Sequence, residues 1–268
     1  MKVFCISIFN ENYKLFKKLN LIPVGLGKAK FDNKWLIEKK KNNISTKNEF
    51  YGEYTFHYYL WKNNIIKKNY SSWIGFCTYR RFWKKKNIKN PTNINQLKKK
   101  ILSKVPKQWK KFESVLVEPI FMKKLKKVKI LKNGFWEVLK KPSILFKKNL
   151  NVEDQFNLFH GSKYLRIGIK LLEEKEKKGF EEFLKKDHFN PYNMFFCKKY
   201  KILEKYYKSV FTWLSRVENE IGFKKLHSYG KKRIYGFLAE RYCSYWFQKY
   251  TKSVNWPIIF LDTNQLSK

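Results

Sequence analysis

Short apolar runs alternate with stretches of helical periodicity along most of this chain. Val3-Phe4-Cys5-Ile6-Ser7-Ile8-Phe9 is β-branched and aromatic and is closed by Asn10-Glu11-Asn12. A run of this length bounded by turn residues predicts a buried strand. Residues 21–25, 73–78, 114–117, 192–197 and 258–261 read the same way. Between them, residues 50–61, 94–102, 152–159, 162–178, 201–221 and 235–250 place apolar side chains at helical spacing. Strands alternating with helices predict an α/β fold, with a mixed, mostly parallel sheet and helices on both faces.

Composition sets further bounds. The chain has 268 residues, and at about 150 residues per domain that fits one domain or two small ones. No Gly/Ser-rich linker divides it, so a single domain over 1–268 is expected, with 84–150 as a variable basic subregion. No uncharged apolar stretch approaches the ~18 residues of a membrane span. The N-terminal apolar run is too short for a signal peptide and lacks a small-residue cleavage site. Cys5, Cys77, Cys197 and Cys243 are far apart, which excludes a zinc ribbon or CxxC motif and points to reduced thiols in a cytoplasm.

The formal net charge is +39, from 60 basic and 21 acidic residues. Lys outnumbers Arg 54 to six, Ala occurs twice, and Asn, Ile, Phe and Tyr are abundant. These are residues of AT-rich codons, so much of the charge reads as compositional drift. The densest stretch, 84–132, holds 17 Lys against Glu113 and Glu118 and would be drawn to an anionic membrane or to nucleic acid. In a chain that uses Lys almost everywhere, each Arg is informative, because ammonium cannot reproduce the bidentate fork of guanidinium. Two of the six, Arg80 and Arg81, are adjacent.

They sit in Trp73-Ile74-Gly75-Phe76-Cys77-Thr78-Tyr79-Arg80-Arg81-Phe82-Trp83, where an apolar strand delivers two guanidiniums at its end. Ligands of open α/β sheets bind outside the carboxyl ends of the strands, and two guanidiniums there suit a diphosphate. The plainer reading is an ion pair or a cation–π stack on the flanking rings. There is no GxxxxGK[ST], GxGxxG or HExxH, and Gly25-Leu26-Gly27-Lys28 reads as a turn. The four Asp residues are too scattered for an Asp-x-Asp clamp. Glu153-Asp154 reads as the acidic start of a helix.

Several segments together resemble one family. These are Asn43-Ile44-Ser45 with Lys47-Asn48, Glu53 with Thr55, Leu60-Trp61-Lys62-Asn63, the 73–82 run, Tyr192-Asn193-Met194-Phe195 and Gly236-Phe237-Leu238-Ala239-Glu240-Arg241. The family is a domain-of-unknown-function group of glycosyltransferases from capsular and exopolysaccharide gene clusters, whose hallmark strand ends His-Tyr-Arg-Arg-Tyr. The resemblance runs nearly the length of the chain and is weakest over 84–150. Thr78 stands where the family usually has His, and Asn43 where it often has Asp.

The resemblance implies a GT-A-like nucleotide-diphospho-sugar fold and a hexosyl transfer. Tyr79, Arg80 and Arg81 fall about where GT-A folds carry Asp-x-Asp, so they are expected to bind the donor diphosphate with no divalent metal or other cofactor. Phe9, Asn10 and Gly25 are the expected nucleotide contacts, the nucleotide being UDP. Asn193, Met194, Glu53, His160 and Arg241 are expected around the sugar and acceptor. Glu240, near the start of the last helix, is the expected base for the acceptor hydroxyl. Its plainer reading is a salt bridge to Arg241. Glu53, equally readable as a buried structural acid, and His160, which beside aromatics reads more readily as a satisfied core residue, are the other candidates. The expected partners are a glycan or lipid-linked glycan acceptor and an anionic membrane surface, which would hold a cytoplasmic enzyme on the inner face. A basic, aromatic-rich binder of single-stranded nucleic acid is the alternative. An inactive glycan-binding relative, suggested by Thr78, is a third reading.

Overall fold

The computed structural model describes residues 1–89, 91, 93–124, 147 and 149–261. An eight-stranded sheet forms its centre. Strand β1 (Lys2–Ser7) lies between β2 (Ile22–Gly25) and β3 (Ile74–Thr78) and is parallel to both. The chain then reverses, and β4 (Arg81–Trp83) pairs back on β3 with Thr78 opposite Arg81. Strand β5 (Ser114–Val117) lies further along the sheet, and β6 (Ile120–Phe121) and β7 (His188–Phe189) form a separate small ladder. Strand β8 (Phe195–Cys197) runs antiparallel between β3 and β5. Strand β9 (Ser253–Trp256) is parallel to β5, and β10 (Ile258–Phe260) closes the other edge against β4. The mixed α/β sheet expected from the alternation is present.

Side chains of a strand alternate between faces, and here both faces are buried. Phe4, Ile6, Phe76 and Phe195 enter one core, against the helices Tyr54–Lys62, Tyr200–Ile221 and Ile234–Tyr250. Val3, Cys5, Cys77 and Phe196 enter the other, against Phe16, Trp35, Leu97 and Trp109. Buried rings of this size contribute several kcal/mol each, and truncating Phe76 to Ala should destabilise by about 3–5 kcal/mol. Some polar tips of the core aromatics find partners: Trp83 donates to the Phe76 carbonyl at 2.8 Å, and His57 Nδ1 pairs with the Tyr207 hydroxyl at 2.7 Å, while the indole N–H groups of Trp35 and Trp109 are buried without one. All four cysteines are buried and free. Burial pushes the Cys5 thiol up and the Cys243 thiol to about 12, so neither is a thiolate nucleophile.

Several boundaries differ from expectation. The helix expected over 50–61 is two helices, Asn48–Tyr51 and Tyr54–Lys62. Gly52 separates them at φ +58, and a Cβ there would lie 2.1 Å from Arg233 Nη2. The helix expected over 162–178 divides into Ser162–Lys170 and Glu174–Leu184. The strand expected over 192–197 begins only at Phe195, because Tyr192 and Asn193 both take positive φ, +77 and +52. Strands β4 and β9 were not expected. The acidic helix start is a capping box: Asn151 Oδ1 accepts the Asp154 N–H at 2.8 Å, and Asp154 Oδ2 accepts that of Asn151 at 3.0 Å. Within the basic stretch 84–132, residues 90, 92 and 125–132 lie outside the described residues. Among the described residues, no helix is long and apolar enough to cross a membrane.

Candidate active site

The carboxyl ends of β2, β1 and β3 lie in a row, with Gly25 opposite Ser7 and Ile6 opposite Thr78. At β1 the Ser7 hydroxyl folds the chain back. It accepts the Phe9 N–H at 2.9 Å and the Asn12 amide at 3.0 Å, and donates to the Phe9 carbonyl at 2.9 Å. Phe9 is half-buried edge-on to Tyr79, with centroids 5.2 Å apart, while Asn10 is exposed. Ile8 and Phe260, 45% and 59% exposed, are large apolar side chains left open at this end of the sheet.

The β3–β4 turn presents Arg80 and Arg81. The Arg80 guanidinium lies 4.8 Å from the Tyr79 ring centroid, and that of Arg81 lies 4.1 Å from Tyr192 and 5.5 Å from Phe260. Both Nε atoms are buried without a hydrogen-bond partner, as is Thr78 Oγ1. Among the described residues, no carboxylate pairs with either guanidinium. The cation–π reading and the ligand reading are therefore compatible: the rings hold the guanidiniums in place, and their donors stay unpaired.

Opposite them, the Tyr192–Asn193 turn is held by two carboxylates. Glu240 Oε1 accepts the Tyr192 N–H at 2.6 Å, and its Oε2 accepts Arg241 Nη1 at 2.5 Å. Glu53 Oε1 accepts Asn193 Nδ2 at 2.8 Å, and its Oε2 accepts Arg233 Nη2 at 2.8 Å. Asn193 Oδ1 is buried with no partner. These clamps force positive φ on two adjacent non-glycine residues, an arrangement met mostly at functional turns.

Three expected contacts lie inside the protein. Met194 is 2% exposed, in the core with Phe196. Arg241 is 1% exposed, bonded to Gln155, Glu240 and the Phe237 carbonyl, over the Phe189 and Phe156 rings. His160 stacks on Phe237 and bonds the Gly230 carbonyl at 2.9 Å, and burial beside Arg241 holds it well below the usual imidazole range. Asn43 Oδ1 accepts both the Ser45 N–H and hydroxyl, at 3.0 and 2.7 Å, as an Asp would, while its amide donates to the Lys40 carbonyl at 2.6 Å, a bond an Asp could not make.

One group escaped the sequence reasoning. A cavity of about 190 Å³ beside the end of β2 is lined by Gly25, Gly27, Phe31, Ile37 and Glu38, among others. Glu38 Oε1 is buried with no partner, and burial raises the carboxyl to about 7, against a smaller opposing hydrogen bond from Thr55. The only signal was a lone acid between an apolar triplet and a Lys run. Among the described residues, no three His, Cys, Asp or Glu side chains converge as a metal site.

No curated protein matches the chain. A solved structure, the WbbM bifunctional glycosyltransferase in its apo form, superimposes with a TM-score of 0.63 at 18% identity, over 98% of this chain. The match spans 45% of that longer chain, and at this identity it establishes a shared fold. The family model described as a domain of unknown function, DUF4422, matches residues 5–252, and the chain belongs to that family.

Proposed function

We propose that this chain is a glycosyltransferase that moves a hexose from a nucleotide-diphospho-sugar, UDP-linked, to a lipid-linked glycan in surface-polysaccharide assembly. The observation that carries this reading is the pair Arg80 and Arg81, rigidly placed at the carboxyl end of a buried strand with unpartnered, partly desolvated donors. When the C1–O bond of the donor breaks, its electron pair goes to the departing diphosphate. Preorganised guanidiniums stabilise that charge without reorganising. They take the place of a divalent cation, so no metal is required. The fold shared with WbbM supports the same reaction class.

The acceptor oxygen attacks C1 and loses its proton to a carboxylate, for which Glu240 is the candidate. Each Glu240 oxygen already accepts one hydrogen bond, but an ionised carboxylate offers about four acceptor sites, so an acceptor hydroxyl can be added. Asn193 Oδ1 is a buried, unpartnered acceptor that a sugar hydroxyl would satisfy. The nucleic-acid reading is less favoured. Single-strand binders present stacking rings along an open groove, whereas most of the described rings here are in the two cores.

A thermal-shift screen of nucleotide sugars in excess EDTA tests the proposal. A ligand at 100 times its Kd should stabilise by about 2.7 kcal/mol. Stabilisation seen only after manganese is restored would defeat the metal-free reading, and no stabilisation under either condition would defeat the donor reading.

A further inference from the structure

The cavity beside Gly25 lies in the same row of strand ends as the arginines. Gly25, Ser7 and Thr78 stand on adjacent strands, so about 10 Å, two inter-strand spacings, separate the cavity floor from the β3 end. Ribose and two phosphates bridge a gap of that order. The floor depends on glycine: a Cβ on Gly25 would fall 2.5 Å from the Phe31 ring, and Gly27 turns at φ +84. Phe31 is braced edge-on by Trp35 at 4.8 Å, which leaves a fixed aromatic wall opposite Ile37 and Glu38. At roughly 30 Å³ per water the volume equals about six waters, the scale of one heteroaromatic ring system. Among the lining residues, Glu38 alone has a buried side-chain polar atom without a partner.

We propose that this cavity holds the nucleobase of the donor, and that Glu38 Oε1 accepts the ring N–H of a lactam base: N3–H of uracil or thymine, or N1–H of guanine. The inference rests on the donor reading above. An ionised carboxylate is an acceptor only. Uracil, thymine and guanine present a donor at that ring position, next to a carbonyl. Cytosine N3 and adenine N1 present a lone pair there, which would face the carboxylate's own lone pairs and leave Glu38 desolvated and unpaired. A site built around one hydrogen bond rejects analogues that lack the partner far more strongly than an apolar pocket rejects a change of size. The raised carboxyl of Glu38 agrees, since the opposing hydrogen bond from Thr55 does not offset its burial.

Calorimetry in EDTA buffer at about pH 8.5, where the raised Glu38 carboxyl is ionised, with UDP, dTDP, GDP, CDP, ADP and N3-methyl-UDP tests the assignment. A hydrogen bond to a charged group corresponds to about 10- to 150-fold in affinity. The first three should bind at least 10-fold tighter than CDP and ADP, and N3-methyl-UDP should fall to the CDP level. In Glu38→Gln the amide can turn its NH₂ toward an acceptor, so UDP should weaken, CDP should strengthen, and their ratio should collapse. If that variant does not fold, N3-methyl-UDP on the wild-type protein decides alone. Equal binding of UDP, CDP and N3-methyl-UDP, or an unchanged ratio in a folded Glu38→Gln, overturns the assignment. If no nucleoside diphosphate binds the wild-type protein, the donor reading falls and this inference falls with it.

Discussion

Glu240 holds Tyr192 by its backbone, accepting the N–H at 2.6 Å, and the Tyr192 ring lies 4.1 Å from the Arg81 guanidinium. The acid proposed as base is thus two contacts from a cation proposed to grip the leaving group. This separates two variants. Glu240→Gln keeps an acceptor for Tyr192 but loses basicity, so donor binding should hold while turnover falls about 10²–10⁴-fold. Glu240→Ala also frees the turn and should weaken donor binding. Near-wild-type turnover in Glu240→Gln would move the role to Glu53.

Arg80 and Arg81 should each account for about 10- to 150-fold in nucleoside-diphosphate affinity when replaced by Ala. Lys should restore only part, because it keeps the charge and loses the fork. Nucleoside lacking phosphates should bind all variants alike. Calorimetry on the four single variants decides this, and an unchanged diphosphate affinity with reduced folding stability would make both arginines structural.

Glu38 makes stability depend on pH. Its folded carboxyl sits at about 7 against an ordinary 4.5, so its contribution is complete below pH 4.5 and is lost as pH rises through 7. Glu38→Gln does not titrate there. It should therefore gain on wild type by roughly 2–3 kcal/mol between pH 4.5 and 8. Lys39, the other charged residue lining the cavity, is bonded to Asn33 at 2.6 Å. Denaturant midpoints of both proteins at pH 5 and 8 measure the difference, and a gap that does not change with pH would contradict a buried carboxylate whose desolvation outweighs its Thr55 hydrogen bond.

The described part of the basic stretch exposes Lys98, Lys99, Lys104, Lys107, Lys110 and Lys111 around the helix Ile94–Lys100 and the short turn Lys107–Lys111. At about 1 kcal/mol per Lys close to an anionic surface, six would suffice for docking at low salt. Flotation with phosphatidylserine vesicles, lost in high salt and absent with phosphatidylcholine, is the expected result. Equal behaviour with both would leave the charge as drift in composition.

What was legible in the sequence was what depends on local chemistry. Apolar runs between turn residues located β1, β2, β3, β5 and β10, and helical spacing located Tyr200–Ile221 and Ile234–Tyr250. The adjacent arginines were visible because Arg is rare here. What was hidden depends on contacts distant in sequence. Tyr192 has strand propensity, yet Glu240 and Glu53 hold it and Asn193 in a turn. Gly52 breaks an aromatic helix to admit a guanidinium from Arg233. Strand β9 is a short edge strand, half-buried except at Trp256 and exposed at Asn255, with too weak an alternation to register. Glu38 is distinguished by its burial beside the cavity and by no motif.

The clamp on Asn193 joins residues 140 apart in sequence, and that on Glu53 joins residues 180 apart. No segment of the chain can form these contacts early, because loop closure must precede them. The clamps therefore depend on the fold as a whole and on no single segment of it. A donor that binds there should slow amide exchange in strands far from any ligand atom, and a nick anywhere between residues 53 and 233 should abolish binding before it abolishes helical content.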